Sequence, residues 1–177
     1  MFCGEIIADD CLMMEILSQI DIKSGTNRKK LCKVGESALY GSTWMSFLKY
    51  DTDGNKVFRP PCPDNPNLAL TKLKELYPEL QAVFQEYRDI YFPGFHFKNV
   101  MINKNYQVGK HLDSKNVGDS FLVSFGDFEG GKTRVWASET EYEDIDSRDK
   151  PICFNGSKLF HECLPFVGER YALVFFK

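Results

Sequence analysis

The C-terminal stretch of this chain decides its fold, and it reads HECLPFVGERYALVFFK over residues 161–177. Its second half is a short apolar run rich in aromatic and β-branched residues, which is typical of a β-strand. Alternate side chains of a strand point to the same face, so Arg170 shares a face with Ala172, Val174 and Phe176. An arginine on the inward face of an apolar strand is costly without an anionic partner. The stretch therefore predicts a closing strand that carries either an anion-binding arginine or a salt bridge at its end.

The same β character extends back to Phe95. Short segments with β-branched or aromatic residues alternate there with turns, and this spacing is typical of an all-β sandwich or barrel. A charged stretch, Glu139–Lys150, is expected to be a solvated loop between strands. The predicted strands are His96–Asn103, Tyr106–Leu112, Ser120–Phe125, Lys132–Trp136, Ile152–Phe154, Lys158–Glu162 and Arg170–Phe176.

Residues before Phe95 have a helical pattern. An apolar stripe from Leu12 to Ile20, with Asp10 as a candidate N-cap, predicts one helix. Apolar residues at helical spacing between Leu80 and Tyr91 predict an amphipathic second helix. A turn at residues 51–55 is expected to join two strands. We expect one folding unit, with a helical support and substrate-side segment over residues 1–94 and a β core over residues 95–177.

Composition bounds the class of protein. The chain has 177 residues, 43% of them hydrophobic, which is enough for one domain with a substantial core. A net charge of −3 argues weakly against a surface built for non-specific nucleic-acid binding. No apolar run approaches 18 residues, so no membrane association is expected. The N-terminus lacks the features of a signal peptide and no Cys-x-x-Cys is present, which favours an intracellular protein, cytoplasmic or nuclear, with reduced thiols.

The second informative motif is His111-Leu-Asp113. Strand alternation puts His111 and Asp113 on one face, as two ligands of one metal ion would require. His161 lies on another predicted strand and can supply a third ligand. Two histidines and one carboxylate can hold one face of a six-coordinate Fe(II) and leave positions open for a cosubstrate and O2. Taken alone, the His-x-Asp pattern is so short that it favours a surface histidine beside a turn.

In combination these residues resemble the Fe(II)/2-oxoglutarate-dependent oxygenases. The resemblance rests on His111-Leu-Asp113, on Gly130-Gly131 before a strand that ends in Trp136, and on the order His161, Pro165, Gly168 and Arg170. It implies a mainly β fold with N-terminal helices, built on a double-stranded β-helix or jelly-roll core.

The resemblance also implies roles for single residues. The Fe(II) ligands would be His111, Asp113 and His161, and Arg170 would clamp the far carboxylate of 2-oxoglutarate. With O2 as cosubstrate, the reaction would yield succinate and CO2 and hydroxylate a C–H bond of the substrate. Asn103 and Tyr106 precede the metal motif and are candidates for cofactor binding, although Asn-Lys-Asn is also a natural hairpin turn.

The chain looks most like the TET/J-binding-protein branch, which oxidises the methyl group of pyrimidine bases. The phrases that carry this looser resemblance are INKNY at 102–106, GDFEGG at 126–131 and FNGS at 154–157. The chain is shorter than the animal members and lacks their Cys-rich zinc region. The implied substrate is 5-methylcytosine or thymine in DNA. Two alternatives remain, a prolyl-type protein hydroxylase that acts on a peptide or protein, and a non-catalytic barrel that binds a ligand.

A DNA substrate would require stacking and phosphate contacts from the N-terminal part. Taken singly, core packing explains the aromatic residues better than stacking does, and a solvated loop explains the basic residues better than phosphate contacts do. Nothing in the sequence predicts the oligomeric state. The candidates for stacking are Tyr40, Trp44, Phe47 and Tyr50, and those for phosphate contacts are Arg28, Lys29, Lys30 and Lys33.

Overall fold

The computed structural model describes residues 6–20, 41–46 and 79–177, with side chains over residues 11–20 and 82–177. Within these ranges the chain forms two helices and ten strands. The helices are α1 (Ile6–Gln19) and α2 (Glu79–Tyr91). The strands are β1 (Gly41–Ser46), β2 (Asn99–Lys104), β3 (Ser120–Phe125), β4 (Phe128–Gly130), β5 (Thr133–Trp136), β6 (Tyr142–Ile145), β7 (Ile152–Phe154), β8 (His161–Cys163), β9 (Phe166–Gly168) and β10 (Tyr171–Phe176).

The strands form three antiparallel sheets. The largest has the order β1-β2-β10-β3-β7, so the C-terminal strand β10 lies between β2 and β3. A smaller sheet has the order β6-β5-β8, and β4 pairs with β9. Because strands that are distant in the sequence pair with one another, the ends of β8 and β10 lie beside the same interior cavity.

The two faces of the large sheet have different roles. One face packs on the helices: Phe175 makes an edge-to-face contact with Phe84 and stacks on Tyr87 of α2. The other face of β10 carries Ala172 and Val174, which line an interior cavity. The predicted alternation along β10 and the amphipathic character of α2 are therefore confirmed.

One predicted strand is wrong. The segment Tyr106–Leu112 is not a strand but an irregular, partly extended stretch that touches its neighbours through isolated contacts. His111 forms a single antiparallel bridge with His161, and Cys163 donates its backbone N–H to Val108. The physical reason lies at Asn105, whose positive φ of 49° turns the chain away from the sheet after β2.

Three further boundaries are corrected. The charged stretch Glu139–Lys150 contains strand β6, because an edge strand tolerates charged side chains that face solvent. The strand expected over Lys158–Glu162 is β8, which starts only at His161 because residues 155–159 form a hydrogen-bonded turn. Helix α1 starts at Ile6, so Asp10 lies inside it and is not its N-cap.

Several predictions fall on residues outside the described ranges. These include the basic residues between Arg28 and Lys33, the turn at 51–55 and three of the four aromatic candidates for base stacking. Trp44 lies on β1, whose backbone pairs with β2. The division at residue 94 stays a prediction. No helix in the described part of the chain is both long and apolar enough to span a membrane.

Candidate active site

A cavity opens between the large sheet and the β6-β5-β8 sheet. Its empty volume is about 660 Å³, part of which is open to solvent. The inward faces of β2, β3, β5, β8 and β10 supply most of its wall, and the irregular segment after β2 supplies the rest. The lining includes Met101, Asn103, Tyr106, Val108, His111, Asp113, Asn116, Leu122, Thr133, His161, Glu162, Cys163, Arg170, Ala172, Val174 and Phe176.

The three predicted metal ligands meet at this cavity. One ligand atom from each of His111, Asp113 and His161 lies within 4.8 Å of the others. The carboxylate of Asp113 lies between the two rings, with Oδ1 3.5 Å from Nε2 of His111 and Oδ2 3.6 Å from Nε2 of His161. The bridge between the two histidine backbones fixes the separation of their side chains.

Backbone carbonyls orient both imidazole rings. Nδ1 of His111 lies 2.7 Å from the carbonyl oxygen of Gly109, and Nδ1 of His161 lies 3.0 Å from that of Leu159. A carbonyl oxygen only accepts, so in each neutral ring the proton is on Nδ1. The Nε2 lone pairs of both histidines are then free to bind a cation, as expected when the second nitrogen of a ligand histidine is held by a carbonyl.

The Asp113 carboxylate is held in its charged form. Burial raises the pKa of Asp113, but when the Nε2 atoms of His111 and His161 carry protons, their hydrogen bonds and charge interactions outweigh burial and hold this pKa well below its ordinary value. A cation bound to the Nε2 lone pairs would supply positive charge in place of these protons. Its backbone N–H donates to the carbonyl of Gly156, and a Cβ at Gly156 would lie 3.3 Å from Oδ2 of Asp113. A glycine thus lets the backbone pass close beside the triad.

Arg170 lies in the same cavity and is only 3% exposed. One of its terminal nitrogens donates to Oγ of Ser124 at 3.2 Å, and its guanidinium lies about 5.5 Å from the ring centre of Phe128. Burial lowers the pKa of Arg170, because solvation of the charge is lost. Among the described residues no carboxylate pairs with it, and its Nε has no hydrogen-bond partner.

Thr133 adds a second unsatisfied group to the cavity. Its residue is 2% exposed and its hydroxyl oxygen has no hydrogen-bond partner among the described residues. Gly131 leaves room for the arginine, since a Cβ there would lie 3.1 Å from Nε of Arg170. Buried polar groups are normally hydrogen-bonded, so these two donors in one cavity wall are available to water or to a polar ligand.

The structure brings together the predicted metal ligands, the predicted clamp and both candidates for cofactor binding. His111, Asp113, His161 and Arg170 line one cavity with Asn103 and Tyr106, and their roles stay predictions. The sequence reasoning missed Thr133, Ser124 and Asn105. Each matters only through a long-range strand pairing, so a local pattern carries no signal for them. The one available hint was that Thr133 directly follows Gly131-Lys132 at the start of a predicted strand.

Comparison with solved structures identifies the fold. A prolyl-4-hydroxylase of Pseudomonas putida is 12% identical, with 97% of this chain and 85% of that chain covered and a TM-score of 0.52. A Trichoplax adhaerens prolyl hydroxylase in complex with a hypoxia-inducible-factor peptide fragment is 14% identical, with 98% and 78% covered and a TM-score of 0.52. A Burkholderia pseudomallei oxidoreductase of the 2OG-Fe(II) oxygenase family is 13% identical, with 94% and 75% covered and a TM-score of 0.52.

These similarities extend over nearly the whole chain. At this level of identity they show a shared fold, the jelly-roll core, and the predicted fold class is confirmed. No family model matches the chain, and no curated protein matches it. Function therefore has to be argued from the residues of the cavity.

Proposed function

We propose that this protein is an Fe(II)- and 2-oxoglutarate-dependent dioxygenase that hydroxylates a C–H bond. One observation carries the proposal. A His-Asp-His triad lines the same cavity as a buried arginine, and no carboxylate in the described ranges pairs with that arginine. A metal site alone would not need the arginine, and a guanidinium buried in the cavity without a carboxylate partner among the described residues can take an anionic ligand.

The donor set of the triad fits Fe(II). Two neutral imidazole nitrogens and one carboxylate are the ligands of non-haem Fe(II) oxygenase sites, which keep coordination positions open. His111 and His161 present Nε2 to a common point beside Asp113. When bound, the iron, 2-oxoglutarate and O2 together supply the oxidative chemistry, and the protein binds, orients and excludes water.

The other unsatisfied groups fit the keto acid. The guanidinium of Arg170 offers a rigid fork of donors that matches a carboxylate, and Nε is the donor left over. The hydroxyl of Thr133 can donate to the same carboxylate. Pairing this arginine with an anion would repay the cost of burying its charge.

For the substrate we propose the methyl group of a pyrimidine base in DNA, 5-methylcytosine or thymine. The support is the sequence resemblance to the TET/J-binding-protein branch over the phrases near Asn103 and Gly131 and before His161. A base flipped out of its stack would have to enter the open side of the cavity. The second candidate is a peptide, because two of the structures of similar fold are prolyl hydroxylases.

The class of enzyme is tested without knowledge of the substrate. Under anaerobic conditions, addition of Fe(II) and then 2-oxoglutarate should give a weak visible charge-transfer band. His161→Ala and Asp113→Ala should remove the band, whereas Glu162→Gln, a neighbour that is no proposed ligand, should keep it. Folded wild-type protein that gives no band would contradict the proposed class.

The substrate is tested by succinate release in parallel reactions. One set contains oligonucleotides with 5-methylcytosine or with thymine, and the other contains proline-containing peptides. We expect succinate release to be stimulated by an oligonucleotide, with an oxidised base found by mass spectrometry. Stimulation by a peptide alone, with a mass gain of one oxygen on the peptide, would reject the DNA substrate and leave the class of enzyme intact.

A further inference from the structure

Asn105 makes an unusual double contact with Arg170. The backbone N–H of Asn105 donates to the carbonyl of Arg170 at 2.7 Å, and the N–H of Arg170 donates to the side-chain Oδ1 of Asn105 at 2.8 Å. The two residues lie far apart in the sequence. They meet because Lys104 pairs with Tyr171, so that Asn105 and Arg170 are the next pair of the β2–β10 ladder.

The side chain of Asn105 replaces a backbone group in this ladder. In a regular hydrogen-bonded antiparallel pair, each residue donates its N–H to the backbone carbonyl of the other. Asn105 has a φ of 49°, which lies in the left-handed region and ends the strand. Its Oδ1 accepts the N–H of Arg170 instead. Asparagine suits this position because it tolerates left-handed φ and carries a short acceptor.

This arrangement joins the two ends of the proposed site. On one side of Asn105 lies β2, which pairs with β10 directly after Arg170, and on the other side the irregular segment leads to His111 and Asp113. The side chain of Arg170 has its own fixed contact, to Ser124. The bond from Asn105 fixes the point from which this side chain enters the cavity.

We propose that Asn105 is a positioning residue for 2-oxoglutarate: its Oδ1 holds the backbone of Arg170 so that the guanidinium meets the cosubstrate carboxylate. This inference rests on the proposed function. It assigns to Asn105 an effect on cosubstrate affinity that is separate from metal binding. Asn103 and Tyr106, which line the cavity, are not needed for it.

The test compares two substitutions of Asn105, one that removes the acceptor oxygen and one that keeps it. Asn105→Gly keeps the left-handed backbone and removes the acceptor. Asn105→Asp keeps both an acceptor oxygen and tolerance of positive φ. The matched control is Asp149→Gly, since Asp149 is the other described non-glycine residue with positive φ, at 53°. Three quantities are measured: the dissociation constant of 2-oxoglutarate with Fe(II) under anaerobic conditions, that of Fe(II) alone, and amide hydrogen exchange at Arg170.

For Asn105→Gly we expect the dissociation constant of 2-oxoglutarate and the exchange rate at Arg170 each to rise about tenfold, as loss of one hydrogen bond to a buried donor implies. Affinity for Fe(II) alone should stay within about twofold of wild type on the same argument. Asn105→Asp and Asp149→Gly should keep cosubstrate affinity within about threefold of wild type, because neither removes the acceptor for Arg170.

Three results would overturn the inference. The first is wild-type cosubstrate affinity in Asn105→Gly, and the second is an equal loss of affinity for Fe(II) and 2-oxoglutarate, which would indicate general damage to the site. The third is a loss in Asp149→Gly as large as that in Asn105→Gly, which would assign the effect to the added glycine. Wild-type protein that binds Fe(II) but not 2-oxoglutarate would overturn the proposed function as well, so the two failures are distinguishable.

Discussion

The two ends of the cavity are built differently. At the metal end the backbone orients the ligands: each histidine Nδ1 faces a backbone carbonyl, and both Nε2 atoms face Asp113. At the arginine end, Nε of Arg170 and the hydroxyl of Thr133 have no hydrogen-bond partner among the described residues. The metal end therefore offers acceptors for a cation, whereas the arginine end offers donors for an anion.

The backbone shows the opposite contrast, because it is regular at the arginine end and irregular at the metal end. The arginine end stands on regular strands, since Arg170 leads directly into β10 at the centre of the large sheet. The metal end depends on an irregular segment held by the bridge between His111 and His161 and by single backbone hydrogen bonds at Val108 and Asp113. The paired strands around β10 stabilise the backbone next to Arg170, so a charged side chain with an unsatisfied donor is tolerated there. The irregular segment depends instead on contacts of its own side chains.

The largest expected effect is at the metal end. Asp113→Ala removes the carboxylate that faces both Nε2 atoms, and we expect affinity for Fe(II) to fall by more than about 100-fold, since even outer-shell changes at metal sites cost about 10- to 100-fold. Equilibrium binding of Fe(II) or Mn(II) measures this loss. Asp119→Ala, on the exposed part of the same connection, is the control and should bind the metal normally. Normal binding in Asp113→Ala would contradict the ligand role.

Arg170→Met should separate the two ends. Loss of a bidentate pair between charged groups should raise the dissociation constant of 2-oxoglutarate by about 100-fold, because two such hydrogen bonds contribute about 3 kcal/mol. Affinity for Fe(II) alone should not change. Thermal stability without cosubstrate should be equal or higher, since the change removes a buried charge that no carboxylate of the described segments pairs with.

Arg134→Met is the matched control for Arg170. Arg134 lies on β5 and already has a bidentate partner in Asp144, at 2.6 and 2.8 Å. The bond to Asp144 raises the pKa of this exposed arginine, which does not face the cavity. Its substitution should leave cosubstrate affinity unchanged. A similar loss of affinity in both variants would refute the clamp role of Arg170.

Thr133→Val tests whether the unsatisfied hydroxyl belongs to the same ligand. The change keeps the shape of the side chain and removes a buried polar group that has no partner, so stability should be equal or higher. The dissociation constant of 2-oxoglutarate should rise about three- to tenfold, the effect of one neutral hydrogen bond. Thr133→Ser keeps the hydroxyl and should restore affinity. Unchanged affinity in Thr133→Val would exclude Thr133 from the cosubstrate site.

The same contrast explains what the sequence could predict. Strand periodicity is local, so the face shared by Arg170, Ala172 and Val174 could be predicted and is confirmed. The shared side of His111 and Asp113 was also predicted, but from a strand that does not exist. Those two residues meet because of the bridge to His161 and the bond from Asp113 to Gly156, neither of which a local pattern encodes.

The residues that the sequence did not reveal depend on register. Thr133 becomes a cavity residue because it pairs with Cys163, and Asn105 reaches Arg170 because Lys104 pairs with Tyr171. The pairing register between distant strands depends on the hydrophobic pattern and turn geometry of the whole sheet. The sequence around a single residue does not determine it. The charged residues of β6 predicted a loop, because an edge strand with charged side chains has the same composition as a solvated loop.

The smallest predicted effect concerns Ser147, which is linked to Arg170 only through Ser124. Ser147 is fully buried, and its hydroxyl lies 2.5 Å from that of Ser124, which in turn accepts a hydrogen bond from Arg170. Ser147→Ala leaves Ser124 in place but removes its support, so we expect the dissociation constant of 2-oxoglutarate to rise about two- to threefold and stability to fall by about 1 kcal/mol. Binding titration and denaturant unfolding measure the two effects.

Ser138→Ala is the control for this last change, because Ser138 is exposed and its hydroxyl only accepts backbone N–H groups in a turn. It should leave cosubstrate affinity unchanged. If Ser147→Ala lowers stability without any change in affinity, Ser147 supports only the fold, and Ser124 holds the guanidinium of Arg170 without it. If affinity falls as far as in Thr133→Val, Ser124 and Ser147 are both part of the anion site. The arginine end then includes residues behind the cavity wall.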